Sequence, residues 1–290
     1  MNTDELFAAV RAGDGEAVAA ALQAGADARA KRSYEMPVDR EVVTGTETVL
    51  QAAVATGDLA IVDLLLAHGA DVDARDEATG ATALVQAVRR GQQGIVQALL
   101  RAGASPELAD GRAGEDALGA AAMAGQGAVA EALLAGGARP SARTLELACH
   151  AGQLDLAARC LAAGIDPATT DALAVACRVG RIAVVEWLLA NGLAAADAGE
   201  ALGEAVHAGH TEVVACLLRH GAPVDVGNGY GWTPLFFAGY GARADLVRML
   251  LAAGADPARV DQQGHTAAHW AAEAGASDCV SLLRAAGGAS

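Results

Sequence analysis

The chain has 290 residues, 53% of them hydrophobic and only 3% aromatic, which is ample for a continuous core of small side chains and poor material for a large sheet. A net charge of −15 argues against a general binder of nucleic acid or of anionic membranes, because both need a basic surface. The single lysine, Lys31, excludes a phosphate loop ending in Gly-Lys-Ser/Thr and confines any Schiff-base chemistry to that one position.

Taken in chain order, the N-terminus MNTDELFAAV carries acids where a signal peptide would carry bases, and no uncharged stretch that follows is long and apolar enough to span a bilayer. Glycines then recur in pairs, at 13 and 25, 57 and 69, 91 and 103, 125 and 137, 152 and 164, 180 and 192, 209 and 221, 241 and 254, and 275 and 287. Within the pairs lie short helical patterns. Ile61, Val62, Leu65 and Leu66 share one helix face, as do Ile95, Val96, Leu99 and Leu100, and again Val213, Val214, Leu217 and Leu218.

Ahead of each first glycine sits a second short helix, such as TALVQAVRRG or DALAVACRVG, with Thr82 and Asp171 as the expected N-caps. The unit is therefore helix, glycine turn, helix, glycine stop. Helices this short are marginal alone, so each must bury its apolar stripe on the next unit, and the spacing predicts an all-α stack. The step between first glycines is longest from Gly13 to Gly57 and shortest from Gly125 to Gly209.

The stretches GWTPLFFAGYG, GHTAAHWAAEAG and GATALVQAVRRG, followed by halves of the form VVxxLLxxGA, resemble the ankyrin repeat over essentially the whole chain, as about nine repeats. The resemblance implies an all-α helix-turn-helix solenoid with β-hairpin fingers, a single array over residues 1–290. The long step then reads as an enlarged first finger at 31–46, and the short steps as repeats with shortened fingers over 126–208. Arg284 replaces the leucine of inner repeats, such as Leu218 and Leu251, and is expected to mark a polar capping repeat.

By the same resemblance, partners dock on the finger tips and on the last residues before each first glycine. Those positions hold Arg11, Arg89, Arg90, His150, Arg178 and His207, which suggests a basic stripe facing a protein partner with an acidic surface. Five of the nine aromatic residues fall in GYGWTPLFFAGY, residues 229–240. Phe236 and Phe237 are expected to pack inside a first helix, while Tyr230, Trp232 and Tyr240 are candidate interface anchors. For Trp232 the alternative is packing on the neighbouring finger or on His265.

Chemistry is the minority reading. His207 with His210, and His265 with His269, have helical spacing, but no acid nearby completes a three-ligand metal site. Cys149 and Cys177 occupy the same place in adjacent repeats and read as core filler. Five cysteines without a CxxC pair suit a reducing compartment, hence the cytoplasm, and the alanine and arginine bias suits a GC-rich bacterial genome. The expectation is a monomeric, non-catalytic protein-binding module with no cofactor and no membrane insertion. A dedicated inhibitor or stabiliser of one enzyme, or a metal-dependent enzyme using the histidine pairs, remain as alternatives.

Overall fold

The computed structural model describes residues 3–38, 41–110, 115–194 and 198–287, and the chain divides into two compact units, 1–144 and 145–290. In the first unit the helices come in pairs: α1 (Thr3–Ala12) with α2 (Gly15–Gln23), α3 (Val49–Thr56) with α4 (Leu59–Ala67), α5 (Ala83–Arg89) with α6 (Gln93–Arg101), and α7 (Ala117–Met123) with α8 (Gly127–Ala135). First helices stack on first helices, α1 on α3, α3 on α5 and α5 on α7. Second helices form a parallel row, α2 on α4, α4 on α6 and α6 on α8.

This layering explains the two compositions. A first helix is enclosed by its neighbours on both sides and by its own partner, so α3 buries every residue from Val49 to Val54. A second helix has one face in water, so α4 buries Ile61, Val62 and Leu65 and leaves Asp63 outside. Gly57 closes α3 in the left-handed region at φ +81°, where a side chain would be strained.

Polar side chains join one repeat to the next. Thr48 and Gln51 form a reciprocal capping box, and the carboxamide of the fully buried Gln51 also donates to the carbonyl of Ala81 at 2.9 Å. Thr82 caps α5 as the sequence predicts, its Oγ accepting from the amide of Val85 at 3.3 Å. Over residues 31–48 the chain forms an antiparallel hairpin, β1 (Lys31–Val38) and β2 (Glu41–Thr48), with Lys31 opposite Thr48 and Val38 opposite Glu41. Asp39 and Arg40, which the sequence places in the enlarged finger, lie outside the described residues.

The second unit contains α9 (Ala142–Ala151), whose first turn holds the boundary, then α10 (Leu154–Ala162), α11 (Ala172–Arg178), α12 (Ile182–Ala190), α13 (Gly199–Ala208), α14 (Thr211–Arg219), α15 (Pro234–Tyr240), α16 (Ala244–Ala252), α17 (Ala267–Glu273) and α18 (Ser277–Gly287). The stacking repeats: α11 on α13, α13 on α15 and α15 on α17, with α12, α14, α16 and α18 in the second row. A single 3-10 turn, Pro167–Thr169, joins α10 to α11.

That turn alters one expected cap. Asp171 stands before α11 at φ −83°, ψ 13°, away from extended backbone, and makes no side-chain cap bond. The amide of Ala172 donates instead to Oγ of Thr170 at 3.3 Å. Arg284 is exposed on α18.

Candidate functional site

The aromatic stretch begins in the turn between α14 and α15. Oδ1 of Asn228 accepts from the amides of Tyr230 at 2.9 Å and Trp232 at 3.1 Å, and the Gly231 amide closes the turn on the Asn228 carbonyl at 2.8 Å. Gly231 lies at φ +82°, and a Cβ there would sit 3.2 Å from Cα of Asp261, so glycine permits both the turn and the approach of the next finger.

One repeat later the same device recurs. Oδ1 of Asp261 accepts from the amides of Gln263 at 2.9 Å and His265 at 3.0 Å. The two turns are tied together, because the Gln262 amide donates to the Tyr230 carbonyl at 3.2 Å and its side chain to the Gly229 carbonyl at 2.7 Å. The finger is held in place by its own neighbour.

Around this frame the rings assemble. Trp232 has its centroid 5.4 Å from Trp270, 5.4 Å from Phe237, 5.6 Å from Tyr240 and 6.0 Å from Phe236. Phe236 is buried, Phe237 half-buried, and Tyr240 is 53% exposed. Tyr230 is 73% exposed. Trp232 is thus both wall and packing, but it does not rest on His265. That ring stacks on His269 at 4.0 Å and meets Trp270 edge-on.

Tyr230, Trp232, Phe237 and Trp270 line a cavity of about 400 Å³, together with Asp261, Gln262, Gln263 and Asn228. Oδ2 of Asp261 accepts from the Trp270 indole at 2.7 Å. Burial pushes this carboxyl up, but the bonds from the His265 amide, the Trp270 indole and the Gln263 amide, with the His265 charge, outweigh it and hold Asp261 below the usual carboxylate range. A smaller cavity, about 240 Å³, shares Asn228, Trp232 and Phe237 with the first and is also lined by Glu200 and Glu204.

Three of the six residues of the expected basic stripe, Arg11, Arg89 and Arg178, meet acids. Nη2 of Arg11 meets Glu47 at 2.8 Å, and Arg178 approaches Glu204 at 3.9 Å. Arg89 bonds to Asp110 and, at 2.8 Å, to Glu115. Burial acts against the Arg89 charge, but its bonds to Glu115 and Asp110 prevail and raise its pKa above the usual arginine value. Within the first unit Arg11, Arg32, Arg89 and Arg90 line a cavity of about 480 Å³ with Tyr34, Glu47 and Asp76. In the second unit His150 is half-buried, while His207 is exposed and meets Phe237 edge-on at 5.2 Å.

His210 braces neighbouring repeats, with Nε2 3.1 Å from the carbonyl of Arg178. The five cysteines are free and buried, and burial pushes the thiols of Cys149, Cys160 and Cys177 up to about 12. They are poor nucleophiles at neutral pH. Among the described residues no group of three or more His, Cys, Asp or Glu is disposed to hold a metal ion.

Sequence reasoning missed Trp270, Asp261 and Gln262. Aligning Thr233 with Thr266 would have found two of them, since Trp270 then takes the place of Phe237, and Asp261 that of Asn228.

The ankyrin-repeat family model, described as three copies of the repeat, matches residues 6–110, 50–144, 173–261 and 202–290. Ankyrin repeat protein nuc-2 of Neurospora crassa is 36% identical over 129 residues, 42% of this chain and 12% of that protein. E3 ubiquitin-protein ligase KEG of Arabidopsis thaliana is 35% identical over 124 residues, 40% of this chain and 8% of that protein. The matched region is a small fraction of the length of either relative.

Proposed function

This chain belongs to the ankyrin-repeat family, and from that premise we propose that it is a non-catalytic module that binds a protein partner through the aromatic fingers of its second unit. Ankyrin repeats are generally protein-protein interaction modules, and the family supplies the mode of action. The observation that carries the site is Tyr230, a large ring 73% exposed on a turn whose backbone is pinned by Asn228 and Gln262. A rigid exposed aromatic loses little conformational freedom on binding and buries a large area, which is what an interface anchor requires.

No helix among the described residues is long and apolar enough to cross a membrane. The five buried free thiols suit a reducing compartment, and we place the protein's work in the cytoplasm. The test is affinity capture from the source cells with wild type and with Tyr230→Ala/Tyr240→Ala. The expected result is a protein held by wild type and retained at least about tenfold less by the double variant. Every captured protein binding both baits alike would remove the aromatic fingers from the account.

A further inference from the structure

We infer that the cavity between Tyr230, Trp232 and Trp270 receives an arginine side chain of the partner. The inference rests on the protein-binding reading above and gives it a chemistry. Four aromatic rings line the cavity, and the faces of such rings carry negative potential that attracts organic cations. Among the described residues its one charged lining group is Asp261, a carboxylate only 7% exposed, and no lysine or arginine lines it. Glu200 and Glu204 line the neighbouring cavity that shares Trp232 and Phe237. An anionic group would meet the Asp261 carboxylate here, and a neutral apolar one would leave its field unused.

The shape selects among cations. Trp232 and Trp270 contact other rings, whereas Tyr230 has no ring neighbour among the described residues and is 73% exposed, so no other ring there competes with a guest for it. A cavity lined by four aromatic rings suits a planar, weakly hydrated guanidinium, which can stack on a ring, better than a compact and strongly hydrated ammonium. Asp261 has already accepted two amides on Oδ1 and an indole on Oδ2, so it serves the guest by its charge and by at most a single further bond. The side-chain carbonyls of Gln262 and Gln263 at the rim offer further acceptors for the five guanidinium N–H groups.

The probe is N-acetyl-Gly-Arg-Gly-amide, titrated into the whole chain while tryptophan emission is followed, beside the same peptide with citrulline or lysine in place of arginine. The arginine peptide is expected to saturate with a dissociation constant on the order of millimolar, with citrulline and lysine each at least about fivefold weaker. Tyr230→Leu is expected to weaken the arginine peptide about fivefold, and Tyr230→Phe to leave it unchanged. Citrulline binding as well as arginine, lysine binding as well or better, or no saturable response would each overturn the inference. Failure here together with partner loss from the Tyr230→Ala/Tyr240→Ala bait would remove the arginine and leave the binding face standing.

Discussion

Tyr230 and Trp232 stand two residues apart and do different things. Trp232 touches four other rings, so Trp232→Ala opens a hole in the cluster and is expected to cost about 2 kcal/mol of stability as well as binding. Tyr230 touches no ring among the described residues, and Tyr230→Ala is expected to stay within about 0.5 kcal/mol of wild type in urea denaturation while losing the partner. Equal destabilisation by the two would show that Tyr230 is packing. Gln51 shows the same economy in the first unit. It is fully buried, and Gln51→Ala strands the Thr48 amide and the Ala81 carbonyl it serves, so a loss of about 2 kcal/mol is expected by circular dichroism. A change below about 0.5 kcal/mol would mean the surroundings re-form those bonds.

At the scale of the element, the helices were legible and the fingers much less so. Glycine at a left-handed helix end, as at Gly57, leaves a mark, although after α15 the left-handed position is held by Ala242 at φ 55°, and the buried face of α4 leaves a spacing. The bonds that tie one finger to the next use the carbonyls of Gly229 and Tyr230, and backbone acceptors leave no signature in side-chain identity. Asp261 is where the finger becomes testable by pH. Its carboxyl lies below its ordinary value of 3.8 in the folded chain, so its stabilising effect is complete above that value and disappears as pH falls through the depressed one. Asp261→Asn is expected to flatten the fall in melting temperature below about pH 4, where wild type declines more steeply. Parallel curves for the two proteins would show that the carboxylate is not so held.

Over the whole molecule, charge is what the sequence alone gives least completely. Arg11, Arg89 and Arg178 read as part of a basic stripe in a chain of net charge −15, and the acids that meet these three come from other repeats. Arg89→Glu would set a third carboxylate beside Asp110 and Glu115, so a loss of about 2 kcal/mol is expected from that repulsion before any partner is considered. An unchanged melting temperature would free Arg89 to be read as a binding residue alone. The arginine proposed for the cavity beside Trp232 and Asp261 predicts partner binding that weakens as salt rises.

The most direct measurement places a photo-crosslinking phenylalanine analogue at position 230 and, as a control, at the exposed Arg219 at the end of α14, then irradiates each in the source cells. The account predicts a discrete protein adduct from position 230 that is missing from position 219 and is suppressed by Tyr240→Ala. Identical adducts from both positions, or adducts from 219 alone, would contradict the assignment of partner binding to the aromatic fingers.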